Sequence, residues 1–135
     1  MIPLRLLLAD DHHLMRQLIL QVIADDWPDA VCEQVSDGAQ LVRRAMEELW
    51  DIVISDISMP VMNGLEALET LKREVPDLPV LIISIHAEKR YALRALEFGA
   101  GGFVPKPRIE QELVKAIRAV LAGEIYLSAE FDGAL

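Results

Sequence analysis

Ile52-Val53-Ile54-Ser55-Asp56-Ile57-Ser58-Met59-Pro60-Val61-Met62-Asn63-Gly64 is the stretch on which the fold turns. A short run rich in β-branched residues, Ile52 to Ser55, reads as a strand buried on both faces. It ends on an acid, Asp56. Asn63-Gly64 then punctuates the chain before Leu65, Leu68 and Leu71, whose spacing makes one apolar helix stripe.

The same unit recurs on either side. Apolar runs at Leu4 to Ala9, Ala30 to Val35, Val80 to Ile85 and Gly102 to Val104 read as four more strands. Helical stripes follow them: Leu14, Leu18, Ile19, Val22 and Ile23; Leu41, Val42, Ala45, Met46 and Leu49; Tyr91, Leu93, Ala95, Leu96 and Phe98; and Ile109, Leu113, Val114, Ile117, Val120 and Leu121. Strand then helix, repeated at intervals of about 25 residues, predicts an α/β fold with a parallel sheet and helices on both faces.

The totals agree with one such domain. The chain has 135 residues, 53% of them hydrophobic and 26% charged, a size and composition that support one core. No apolar run reaches the length of a membrane span, and the N-terminus lacks the pattern of a signal peptide. Cys32 is the single cysteine, so no internal disulfide forms; the residue is expected to be a small buried hydrophobe. A cytoplasmic setting is the default expectation. The net charge of −9 repels phosphate backbones, so this segment alone is not expected to bind nucleic acid.

Right-handed crossovers place every strand's carboxyl end on one edge of the sheet, where ligands bind. The first strand ends at Asp10-Asp11, the third at Asp56, the fourth at Ser84 and the fifth near Lys106. Three carboxylates, a hydroxyl and an ammonium therefore meet on one rim. Crowded carboxylates repel, and a hard divalent cation such as Mg²⁺ relieves that while keeping sites open for phosphate oxygens. A metal, a lysine and a hydroxyl around a carboxylate form a phosphoryl-transfer site. Alone, Asp10-Asp11 would also serve as a helix cap. The adjacent His12 and His13 are expected at the surface or in capping roles.

Asp10-Asp11, the Asp56-to-Gly64 stretch, Ser84 and Lys106-Pro107 together resemble the receiver domain of two-component response regulators, over roughly residues 4 to 122. The resemblance implies a flavodoxin-like, doubly wound (βα)5 sheet of strand order 2-1-3-4-5. It implies that Asp56 is the phosphoacceptor. Asp11, Asp56 and the Ser58 backbone carbonyl would hold Mg²⁺, with Asp10 acting through water. Ser84 and Lys106 would contact the phosphoryl group, with the Lys106-Pro107 bond cis. Ser84 and Phe103 would form the switch, Phe103 turning inward and repacking the face of helix four, strand five and helix five. Ser58 and His86 fall where the family tunes phosphate lifetime. Pro105 departs from the common pattern; lacking a ladder N–H, it suits an edge strand.

Ala116 to Ser128 resembles the end of receivers of the NarL/FixJ group. This implies a receiver over residues 1–122 and a linker over 123–135 leading to an absent helix-turn-helix output domain, through which alone DNA would be bound. The implied partners are a sensor histidine kinase and a second copy of the chain after phosphorylation. The chain would be a switch rather than an enzyme, although it assists its own phosphorylation and dephosphorylation. An aspartyl phosphatase of the haloacid dehalogenase type needs a second Asp where Ser58 stands. Dinucleotide-binding and Walker-type folds need Gly-rich loops that the sequence lacks. A single-domain or degenerate receiver acting as an interaction module is the remaining alternative.

Overall fold

A computed structural model of the chain describes residues 2–85 and 89–128. The order of elements is β1 (Arg5–Ala9), α1 (His13–Asp26), β2 (Val31–Val35), α2 (Gly38–Glu47), β3 (Ile52–Asp56), α3 (Gly64–Glu74), β4 (Val80–Ser84), α4 (Lys89–Glu97), β5 (Gly102–Pro105), a 3-10 turn (Lys106–Arg108), α5 (Ile109–Leu121) and β6 (Tyr126–Leu127). The strands form one sheet in the order β2-β1-β3-β4-β5-β6, with every pairing parallel. This is the expected doubly wound α/β arrangement, with one short strand added.

Strand side chains alternate between the faces, and so divide the core in two. Leu7, Val53, Ile82 and Phe103 pack with Leu41, Leu68 and Leu71 on one side. Leu6, Leu8, Ile54, Leu81 and Ile83 pack with Ile19, Ile23, Leu113 and Ile117 on the other. Each fully buried aliphatic side chain contributes about 1.5–3 kcal/mol relative to exposure. The helices are started locally where the sequence has capping residues. Asp37 Oδ1 accepts from the Gln40 amide at 2.8 Å and Asn63 Oδ1 from the Glu66 amide at 2.9 Å.

Three details differ from the sequence reading. β2 is an open edge, as the strand order 2-1-3-4-5 implies, but its apolar run is less buried than it reads, with Val31 exposed and Cys32 half-buried. Burial at Cys32 is still sufficient to push its thiol pKa up. Tyr126–Leu127, read as the start of a linker, adds a sixth strand against β5. Pro105 therefore does not lie on a simple edge strand: β6 covers Gly102 and Phe103 only, leaving Pro105 beyond the end of that pairing.

The third difference concerns Lys106-Pro107, where a cis bond was expected. Among the described residues no peptide bond is cis. Lys106, Pro107 and Arg108 form a 3-10 turn with the proline near its start, where a missing N–H costs no intrahelical bond. The turn itself aims the lysine inward.

Candidate functional site

Four strand ends build the site. Asp10 follows β1 and is fully buried; Asp56 closes β3 and Ser84 closes β4, both buried; Lys106 follows β5 and is also buried. Lys106 Nζ lies 3.0 Å from Asp56 Oδ2, which accepts its hydrogen bond, and 2.8 Å from Asp10 Oδ2. The second contact is a buried ion pair. Such a pairing of buried charges needs close opposite charge to survive desolvation.

The charges shift one another. Burial pushes the Asp56 carboxyl above its usual range, and the Asp10 charge adds to this; the Lys106 ammonium and the Ser58 amide only partly oppose them. Burial acts to lower the Lys106 pKa, but the carboxylates of Asp10 and Asp56 outweigh it, and its pKa lies above the usual lysine value. Lys106 is therefore held charged, while Asp56 is ionised at a cost.

Asp11 is exposed beside this core. Asp10, Asp11, His12 and Asp56 each offer a ligand atom, all within 4.8 Å of one another. Three carboxylates against one ammonium leave negative charge in excess when all are ionised, and the oxygens are hard donors. The set fits a hard divalent cation. His12 joins the set from an exposed position at the N-cap of α1, within the surface and capping roles expected of it: its Nδ1 stands 3.3 Å from Asp10 Oδ1 and 3.2 Å from Asp11 Oδ1. Its backbone amide donates to Asp10 Oδ1 at 2.8 Å, a local turn that aims the acid. His13 opens α1 as an exposed residue, as expected. Arg16 is the neighbour that sequence reading missed; its guanidinium donates to the Asp10 carbonyl.

The loop after β3 is shaped by close approach. Ser58, exposed, donates its amide to Asp56 Oδ1 at 3.3 Å. Gly64 donates its amide to the Ile57 carbonyl at 2.8 Å. A Cβ at Gly64 would fall 2.1 Å from the Asp56 carbonyl oxygen, so only glycine lets α3 begin against the backbone of the acid. Val61, exposed at the loop tip, has a φ of 69°, a strained conformation for a β-branched residue.

Phe103 is fully buried in the half of the core shared with Ala92 and Ala95 of α4. It already stands inward, so an inward turn is not the change open to it from this arrangement. His86 lies outside the described residues.

The family model for the response regulator receiver domain matches residues 6–118. The chain belongs to that family. This receiver is 36% identical over 127 residues to the response regulator GacA of Pseudomonas viridiflava, covering 94% of this chain and 59% of that protein. It is 35% identical over 124 residues to the glycerol metabolism activator of Pseudomonas putida, covering 91% of this chain and 56% of that protein. The chain thus spans less than two thirds of the length of these curated relatives. Among solved structures, the two-component response regulator of the LuxR family from Aurantimonas sp. SI85-9A1 superposes with a TM-score of 0.91 at 32% identity, over 98% of this receiver and 95% of that chain. Receivers of this family are signalling domains rather than conventional enzymes. Among the described residues, no helix is long and apolar enough to cross a membrane.

Proposed function

We propose that this receiver takes a phosphoryl group from a sensor histidine kinase onto Asp56. The observation that carries the reading is the buried Lys106 ammonium bridging Asp56 and Asp10 at 3.0 and 2.8 Å. An Asp56 oxygen attacks phosphorus in line; the P–N bond to the donor imidazole breaks as the P–O bond forms, and the imidazole leaves with a proton. Lys106 and Ser84 then stabilise charge on the transferred group.

Asp11, Asp56 and the Ser58 carbonyl would hold Mg²⁺, with Asp10 acting through water. When bound, the cation neutralises charge developing on the phosphoryl oxygens. Ser58 and His86 are positioned in sequence to tune how fast water removes the phosphate. Ser84 moving toward the phosphoryl group would disturb the β4–β5 pairing around Phe103, and so the face of α4, β5 and α5. That surface would control a DNA-binding output domain and favour a homodimer in a cytoplasmic transcriptional regulator. The similarity to a LuxR-family regulator supports this part of the reading.

Incubation with acetyl phosphate, with and without Mg²⁺, followed by intact-mass measurement, tests the proposal. The expected result is one added phosphoryl group, dependent on Mg²⁺ and absent in Asp56→Asn. Equal labelling of that variant would overturn it. An unlabelled wild-type chain would favour a degenerate receiver that works only as an interaction module.

A further inference from the structure

Outside the rim, a buried polar cluster is centred on Glu112, in the first turn of α5. Its side chain is 5% exposed, and its carboxylate is fully engaged. Oε1 accepts from the Tyr126 hydroxyl at 2.6 Å, and Oε2 accepts from Ser128 Oγ and from Arg108 Nε, both at 2.8 Å. Burial works to raise the Glu112 pKa, but the three donors outweigh it and hold the carboxyl below its usual range. Buried acids are rare unless so satisfied. Two of the three donors belong to the segment after α5, and Ser128 is itself fully buried.

A second observation comes from the sheet. The Tyr126 amide donates to the Gly101 carbonyl at 2.9 Å, and β6 pairs with β5 through Gly102↔Tyr126 and Phe103↔Leu127. A Cβ at Gly102 would stand 2.9 Å from the Tyr126 carbonyl oxygen. Glycine at this position gives the sixth strand room to seat. Because β6 runs parallel to β5, the chain climbs toward the rim that holds Asp56.

The third donor closes a path. Arg108 belongs to the 3-10 turn that begins with Lys106. Glu112 therefore grips both the turn carrying the rim lysine and the strand by which the chain continues.

We propose that Glu112 is a latch that holds residues 126–128 and so seats Tyr126–Leu127 as the sixth strand, and that this strand and the Lys106 turn bias one another through β5 and Arg108. The proposal deepens the receiver reading, on which it rests for the direction of the signal. A change at Asp56 that moves Lys106 alters the hold of Glu112 on Tyr126 and Ser128, and the coupling acts equally in reverse. The latch links the site to the chain that follows without requiring a new surface.

Hydrogen exchange read by mass spectrometry on the full 135-residue chain tests this without any phosphodonor, so its result does not depend on Asp56 accepting phosphate. Glu112→Ala and the milder Ser128→Ala should speed exchange in the peptide spanning 126–128, about tenfold and about threefold, while peptides from β1 and α2 keep wild-type rates. Unchanged tail exchange in both variants would overturn the latch. Lys106→Met should also shift tail exchange, by about threefold or more relative to the β1 and α2 peptides. A tail that follows those peptides in that variant would overturn the coupling.

Discussion

Lys106 Nζ donates to Asp56 Oδ2 at 3.0 Å although the residues are 50 positions apart. Both side chains are buried, so the pair cannot be exchanged for water contacts at little cost. Removing the ammonium leaves Asp10 and Asp56 facing one another uncompensated. Lys106→Met should lower stability by about 3–5 kcal/mol in EDTA. Mg²⁺ should recover part of the loss and bind the variant more tightly than wild type. Chemical denaturation with and without the metal checks both outcomes.

Asp56 gives a pH dependence of definite sign. Burial raises its folded-state pKa above the usual carboxylate range, so the folded chain holds this proton more tightly than the unfolded chain. The associated stability is present below the unfolded value of about 3.9 and is lost as pH rises through the folded one. At neutral pH the ionised carboxylate therefore costs stability. Asp56→Asn should melt higher than wild type at pH 7 without metal, and this advantage should shrink on acidification. A variant that melts lower at pH 7 would contradict the electrostatic account.

A divalent cation should act on the same charge. If Mg²⁺ binds the folded acidic cluster alone, ten times its Kd should stabilise wild type by about 1.4 kcal/mol. Asp11→Asn should reduce that gain. Thermal shift across a Mg²⁺ titration measures it.

Val61 carries its strain in a loop beside the site. At φ 69° a valine Cβ is crowded where glycine has none. Val61→Gly should stabilise the fold by about 1 kcal/mol, the relief of strain exceeding the added entropy of the unfolded chain. Equilibrium unfolding in urea would show it as a raised midpoint.

Phe103 is fully buried, and its ring fills space between β5 and α4. Phe103→Ala should lose about 3–5 kcal/mol. The test is denaturant unfolding, and a loss below about 1 kcal/mol would mean that the site collapses around the missing ring.

Much of this protein was legible in local patterns. Buried runs such as Ile52–Asp56 and stripes such as Leu65, Leu68 and Leu71 report their own burial, because period 2 and period 3.6 place side chains without reference to distant sequence. Asp10, Asp56, Ser84 and Lys106 could be set on one rim because parallel crossovers have one hand. The exposed β2 was harder: Val31 and Cys32 look like core residues, and only strand order reveals that the strand is an edge.

By itself the sequence determined the alternation of strands and helices, the edge on which the acids and the lysine would meet, and the punctuation before α3. Tertiary structure decided which groups touch: the ammonium between Asp10 and Asp56, His12 beside the acids, Phe103 already inward, and Glu112 gripping Tyr126 and Ser128. Those contacts join residues far apart in the chain or depend on side-chain direction, and their strength comes from burial, which no local pattern contains.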